Sequence, residues 1–312
     1  MIADLQNSIF YDEAKAREYL ESIRWPNGPT CPHCGAVENI HKLTGKSHRP
    51  GLYQCNGCRG HFSVTVGTLY ERSHVPLHKW LLATHLLTSS KKGMSAHQLH
   101  RMLGVTYKTA WFMFHRIREG MPDSNPGPMG GKGKAIEADE TYIGPKTHEF
   151  SQEKGWTTRR GVSGKRIVVT LVERGGRARS VKVERLTTKA VTEIIAANTS
   201  RDSLLMTDES MHYRPMGREF IQHLTVHHRK GEYVKGIAST NTVEGFFSIF
   251  KRGMRGVYQH CGEQHLQRYL NEFDFRYSNR IKLGVTDAER CALALKGIEG
   301  KRLTYRRINE RA

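Results

Sequence analysis

TNTVEGFFSIFKRGMRGVY, residues 240–258, reads as one amphipathic helix. Val243, Phe246, Phe247, Phe250 and Met254 recur at helical spacing, so at about 100° per residue they form a single core-facing stripe. Glu244 and Lys251, seven residues apart, stack two turns apart at the border of that stripe. Asn241, Ser248, Arg252 and Arg255 fill the arc beyond it. A carboxylate at the core border, with three cations on the same helix face, suits a site that handles a metal ion and a phosphate. An acidic residue near a helix N-terminus is also what the helix dipole favours by itself. The helix alone leaves both readings open, and its neighbours have to decide.

Upstream, AIEADETYIG (135–144) reads as a strand, and RIVVTLVERGGRARSVKVERL (166–186) as a hairpin turning at Gly175–Gly176. TTKAVTEIIAANTS (187–200) reads as a helix, SLLMTDES (203–210) as a short buried strand, and LTVHHRKGEYVKG (224–236) as another strand. The order β, β-β, α, β, α, β, α is an α/β layout with a mixed sheet. Two acidic dipeptides, Asp139–Glu140 and Asp208–Glu209, stand at strand ends. Strand neighbours point to opposite faces, so only one acid of each pair can reach a shared site, and spacing does not say which. Three carboxylates with open positions suit two Mg²⁺ ions in phosphoryl transfer, and oxygen-only ligands favour a hard cation. The same acids also fit turns and helix caps. Downstream, residues 262–280 form a second amphipathic helix and residues 286–297 a third opened by Thr286, before a basic tail expected to be exposed.

The N-terminal part has a different character. CPHCG (31–35) and CNGC (55–58) are separated by twenty residues. Cys31, Cys34, Cys55 and Cys58 at this spacing close a tetrahedral zinc site, with Gly35 and Gly57 expected to permit the two knuckle turns. The alternating residues around the second pair make a zinc ribbon the natural architecture. SAHQLHRML, then GVT, then YKTAWFMFHRIREG (95–120) has the form of a helix–turn–helix, with Gly104 in the turn and Thr106 as N-cap. Tyr107 and Lys108 stand at the leading end of its second helix, where such motifs meet base edges. A plain three-helix bundle fits the same spacing. MPDSNPGPMGGKGK (121–134), rich in Pro and Gly, is the clearest domain boundary.

Composition points to the partner. The 312 residues carry 49 Lys+Arg against 30 Asp+Glu, a net charge of +19, and the sequence pI is near 9.8. This balance predicts a polyanion, with nucleic acid as the default because each phosphate neutralised releases counterions. No segment has the roughly 18 consecutive apolar residues of a membrane span. The first twenty residues carry early acids and lack an apolar signal core. Paired CxxC motifs fit a reducing compartment, so a cytoplasmic protein is expected.

These stretches together resemble a family. CPHCG with CNGC, EADETYIG, LLMTDES followed by Tyr213, TNTVEGFFSIFKRGMRGVYQH and HLQRYLNEFDFRYSNR, in this order over almost the full length, are similar to DDE-type transposases of bacterial insertion sequences, the group with an N-terminal zinc ribbon. The resemblance implies a multidomain α/β protein: zinc ribbon, helix–turn–helix bundle and RNase H-like catalytic domain. It implies Asp139, Asp208 and Glu244 as the catalytic triad holding Mg²⁺ or Mn²⁺, with Lys251 the basic residue two turns after the glutamate. Lys251, Arg252 and Arg255 would hold phosphates. The implied chemistry is hydrolysis of a phosphodiester at an element end, then in-line attack of the freed 3′-OH on target DNA. Double-stranded DNA is then the partner, as element ends and target, with a homodimer or larger assembly formed on it and no membrane. Domain bounds expected on this reading are 1–70, 71–121, a linker 122–134, a catalytic domain 135–285, and a helix with basic tail 286–312. Two rival readings are a zinc-ribbon regulator without catalysis and an RNase H-like nuclease that cuts without joining.

Overall fold

The computed structural model describes residues 5–122, 126–144, 148–152, 155–158 and 164–304. The chain divides into two units, residues 1–124 with 280–312 and residues 125–279. The second unit thus ends before the expected bound at 285. Residues 123–125 of the expected linker and 305–312 of the basic tail lie outside the described residues.

In the first unit, α1 (Glu13–Arg24) starts at Asp12, whose carboxylate accepts the Ala14 and Lys15 N–H groups. Strands β1 (Ile40–Leu43), β2 (Leu52–Cys55) and β3 (His61–Phe62) form an antiparallel ribbon. Trp25, Tyr53 and Phe62 pack ring against ring as its small core, with centroids 5.5 to 5.8 Å apart. Helices α2 (Leu77–Ser89), α3 (Ala96–Leu103) and α4 (Tyr107–Gly120) follow. Gly104 ends α3 in the left-handed region at φ 61°, a conformation a Cβ disfavours. Thr106 then caps α4 by accepting the Thr109 N–H. Phe114 and Ile117 are buried as the spacing requires.

The second unit is built on a five-stranded sheet. Strand β4 (Ala135–Ile143) lies at its centre; β5 (His148–Ser151) and β6 (Gly155–Thr158) form a separate small hairpin. Strands β7 (Arg166–Glu173) and β8 (Ala178–Val183), helix α5 (Thr188–Asn198), and strands β9 (Leu204–Thr207) and β10 (Gln222–Thr225) complete the sheet and its first cover. The spatial order is β10-β9-β4-β7-β8. The pairs β4–β7 and β7–β8 are antiparallel, while β4–β9 and β9–β10 are parallel. A three-stranded meander with two parallel strands added on the far side of its first strand is the RNase H-like sheet. β7 is apolar on both faces because both are covered. Val169 and Leu171 join Ile136, Ala138, Val191 and Ile195 on the side of α5. Val168 and Val172 face the opposite layer.

That layer is made by the opening stretch. After a short hairpin, β11 (Val234–Lys235) with β12 (Ala238–Ser239), come α6 (Asn241–Gly253) and α7 (Leu266–Ser278). Val243, Phe246, Phe247, Phe250 and Met254 are all buried, forming the predicted stripe, against Leu266, Leu270 and Phe273 of α7. The helix widens into a π turn over Met254–Tyr258. There the Tyr258 hydroxyl donates to buried Glu272 of α7, which also takes Arg276. Asp274 of α7 accepts the Ser180 N–H and hydroxyl, both at 2.7 Å, tying α7 to β8. Burial pushes its carboxyl up to about 7 despite those bonds. A carboxyl raised above its unfolded value binds more protons when folded, so its contribution to stability falls as pH rises from about 4 to about 7. Asp274→Asn is expected to flatten the loss of stability between about pH 4 and pH 7 in urea denaturation.

The chain then returns to the first unit. Helix α8 (Asp287–Lys296) opens with a capping box between Thr286 and Glu289. It buries Cys291, Ala294 and Leu295, and Arg290 donates to the Thr88 carbonyl of α2. The tail, expected to be exposed, begins folded. Ile298 is buried and its carbonyl accepts the Leu69 N–H. Glu299 pairs with Arg24. Ile298 is the apolar residue inside this basic run, and its burial anchors the segment.

Candidate functional site

In the ribbon, Cys31 and Cys58 stand with sulfurs 3.7 Å apart, as do Cys34 and Cys55. All four donor atoms lie within 4.8 Å of one another. Sulfurs at the corners of a tetrahedron about 2.3 Å from its centre have this spacing. The Cys58 N–H, with other backbone and sulfur contacts, draws the Cys55 thiol down to about 7. Cys34, despite the Ala36 N–H that favours its thiolate, is pushed up to about 12 by hydrogen bonding among the neighbouring sulfurs. Four thiols crowded this way share protons that a divalent ion displaces, and the donor set is that of a closed structural zinc site. Gly35 takes the left-handed turn of the first knuckle at φ 76°. In the second, Arg59 at φ 58° does so, not Gly57.

The carboxylates belong to the second unit. Asp139 lies within β4 rather than at its end; the paired part of β9 stops alongside Glu137, which is in register with Met206. Two residues further on, Asp139 within β4 and Asp208 just past the end of β9 lie near enough for their charges to interact. Asp139 shares a sheet face with its β7 partner Thr170, flanked by Val168 and Val172, which face the α6 layer. Glu244, in the first turn of α6, reaches the same region. Burial, then the charges of Glu140 and Asp208 and also that of Glu244, push the Asp139 carboxyl up to about 8. Burial also raises Asp208, against the Ser210 N–H that favours its charge.

The two dipeptides divide their labour. Glu140 points to the other face and accepts the Tyr213 hydroxyl at 2.8 Å. Glu209 accepts the His228 and Arg229 N–H groups at 2.9 and 3.3 Å. The second acid of each pair is thus committed to bonds with other segments, whereas the first accepts a nearby backbone N–H, that of Glu140 for Asp139 and that of Ser210 for Asp208. Among the described residues, the cysteines are the only group of three or more potential ligands with donor atoms all within 4.8 Å of one another. The three carboxylates are therefore within electrostatic reach but not in mutual ligand contact. Their chemistry fits a hard divalent cation, the species that would relieve the repulsion felt by Asp139.

The cations are arranged in tiers. Lys251 is half-buried; burial and then the Arg255 charge lower its pKa, while the nearby Asp139 charge supports its ammonium. Arg252 is exposed and folds back on the Ser248 carbonyl and hydroxyl at 3.1 and 2.8 Å. Arg255 is exposed on the π turn. In the first unit Tyr107 is 42% exposed, stacked on His97 at 4.2 Å, and Lys108 beside it is exposed.

Three neighbours of the site lie outside the residues the sequence selects. His228 Nε2 lies 3.5 Å from Glu244 Oε1 and 3.0 Å from the Thr240 hydroxyl. The buried Thr240 hydroxyl donates to Glu244 at 3.1 Å. Glu137, fully buried, accepts from α6. Glu137 carries a sequence signal: it stands two residues before Asp139, on the same face of the strand.

Residues 130–278 match the ISXO2-like transposase domain, and residues 11–61 the transposase zinc-ribbon domain. An uncharacterized protein in transposable element ISH50 of Halobacterium salinarum is 31% identical over 281 residues, covering 86% of this chain and 91% of that protein. The chain belongs to the insertion-sequence transposases that carry an N-terminal zinc ribbon ahead of an ISXO2-like transposase domain. Among solved structures, the Mos1 strand transfer complex is similar over 70% of this chain and 78% of that one, at 10% identity and a TM-score of 0.29. The Mos1 transposase paired-end complex with left transposon end is similar over 70% and 74%, at 11% identity and a TM-score of 0.27. Both are remote likenesses. Among the described residues no helix is long and apolar enough to cross a membrane.

Proposed function

We propose that this transposase binds the ends of its insertion sequence and catalyses strand cleavage and strand transfer by two-metal phosphoryl transfer, with Asp139, Asp208 and Glu244 as the ligand set. The reading is carried by membership of the transposase family together with the gathering of Asp139 on β4, Asp208 after β9 and Glu244 on α6, near enough that the charges of the last two help raise the Asp139 carboxyl. Bound Mg²⁺ or Mn²⁺ would supply the Lewis acidity that activates the attacking oxygen and stabilises the leaving one. The protein's part is position and charge neutralisation. Lys251, half-buried beside the acids, would hold the scissile phosphate, while exposed Arg252 and Arg255 neutralise the flanking strand. The helix–turn–helix of the first unit would dock on element ends through Tyr107 and Lys108. Acting on two ends calls for at least a homodimer on DNA, working in the cytoplasm where the DNA is.

The test incubates the protein and Mg²⁺ with DNA carrying candidate terminal repeats and target, then sequences for joined ends. Joined 3′ ends that vanish with Asp208→Ala support the proposal. Joining unaffected by that substitution excludes the ligand assignment. Cutting without joining identifies a nuclease, and binding without either a regulator. For the docking face, Lys108→Ala is expected to weaken binding similarly on all sequences and to reduce the salt slope of log K by about 1, whereas Tyr107→Ala alters sequence preference. Fluorescence anisotropy at several salt concentrations separates the two effects.

A further inference from the structure

Helix α6 is not capped by its own N-cap side chain. Thr240 occupies the N-cap position but makes no side-chain cap bond. A threonine there ordinarily turns its hydroxyl to the N–H of the second or third helical residue. Here those N–H groups, of Thr242 and Val243, go to Glu137 Oε2 at 2.7 and 3.0 Å. Glu137 Oε1 accepts the Thr242 hydroxyl at 2.8 Å and Arg174 Nε at 2.6 Å. Glu137 is fully buried and sits on β4, two residues before Asp139. The free N–H groups and the dipole at a helix start both favour a carboxylate in that place. Arg174 also donates to the Ile237 and Ser239 carbonyls at 2.8 and 3.1 Å and to the Ser239 hydroxyl at 2.6 Å, holding the hairpin that leads into α6. The Thr240 hydroxyl is thereby released. It donates instead to Glu244 Oε1, with His228 Nε2 3.0 Å behind it.

We propose that Glu137 is a positioning residue: by capping α6 from the strand that carries Asp139, it sets the separation of Asp139 and Glu244 and frees Thr240 to orient the Glu244 carboxylate for a divalent ion. This rests on the ligand set proposed above. Glu137 is not itself offered as a ligand, because both its oxygens already accept two bonds each. A glutamine there can accept on one oxygen only and presents an NH₂ group to donors. Without the cap, the Thr240 hydroxyl has unpaired N–H groups within its own turn to swing back to. Partners of metal ligands are typically worth about 10- to 100-fold in metal affinity or activity.

The experiment compares full-length wild type, Glu137→Gln, Thr240→Val and the double variant, with Asp139→Asn beside them. Mn²⁺ binding is read by calorimetry, amide exchange at Thr242 and Val243 by hydrogen–deuterium exchange, and strand transfer against Mg²⁺ concentration. Glu137→Gln is expected to speed exchange at those two amides and to weaken Mn²⁺ binding about tenfold or more, with binding of element-end DNA within about twofold of wild type. Thr240→Val is expected to weaken Mn²⁺ binding as well. The double variant should be little worse than Glu137→Gln alone, since one path is broken twice. Wild-type Mn²⁺ binding in Glu137→Gln, or full additivity in the double variant, overturns the proposal. If Glu137→Gln does not fold, Thr240→Val carries the test, and unchanged Mn²⁺ binding there overturns it. If Asp139→Asn binds Mn²⁺ and joins strands like wild type, the ligand reading itself falls; if Asp139→Asn is dead while Glu137→Gln is normal, only the positioning role falls.

Discussion

Asp208→Asn is expected to lower strand transfer by about 10³-fold while leaving binding of element-end DNA unchanged and the metal-free protein no less stable. The first expectation follows from removing one charged ligand from a centre whose work is electrostatic, where single donors are commonly worth about 10² to 10³. The last follows from the site's own repulsion. Asp139 is held up at about 8 by burial and by the charges of Glu140, Asp208 and Glu244. Asparagine keeps an oxygen able to accept the Ser210 N–H that Asp208 now accepts at 3.0 Å, and it removes a like charge. An ordinary structural aspartate would behave in the opposite way, losing stability and activity together. Thermal unfolding with and without Mn²⁺ makes the contrast measurable: wild type should gain more stability from the ion than Asp208→Asn does. Equal gains would mean that Asp208 is not a ligand.

Cys55→Ser, or exhaustive zinc chelation, is expected to unfold the ribbon and abolish end binding before it affects divalent-ion binding at the carboxylates. The ribbon's apolar core is little more than Trp25, Tyr53, Phe62 and Val64 around two buried cysteines. A core that small does not by itself offset the chain entropy of some forty residues. Zinc coordination in comparable modules supplies roughly 10 kcal/mol or more. Bound zinc by atomic spectroscopy should fall to near zero, and limited proteolysis should open the segment between the two cysteine pairs. The carboxylate centre belongs to the other unit, so its Mn²⁺ affinity should stay within about twofold. Loss of both together would argue that the two units fold as one.

Much of the fold is legible because periodicity survives without neighbours. Five apolar side chains of α6 recur at helical spacing and are the five that are buried. Gly104 and Thr106 mark a helix end and a helix start from residue chemistry alone. The errors have a common cause. Asp139 looked like a strand end because acids usually close strands, yet β4 continues to Ile143. Gly57 looked like the knuckle turn because glycine tolerates left-handed backbone, yet Arg59 adopts it. The tail looked exposed because it is basic, yet Ile298 is buried. In each case a packing neighbour outweighs the local preference of the residue type.

The zinc ligands, the helix faces and the alternation of strands and helices are readable from the residues alone, and the resemblance adds six acidic and basic candidates. These are local quantities, written in spacings of a few residues. The resemblance prefers the first acid of each dipeptide, but what occupies the second is a matter of packing: the Tyr213 hydroxyl claims Glu140, and the His228 and Arg229 amides claim Glu209. Only the tertiary structure decided that the cap of α6 comes from Glu137, more than a hundred residues earlier in the chain. The physical reason is that a hydrogen bond is indifferent to sequence distance: a buried donor takes the acceptor that packing brings to it, and packing is settled by the whole sheet at once.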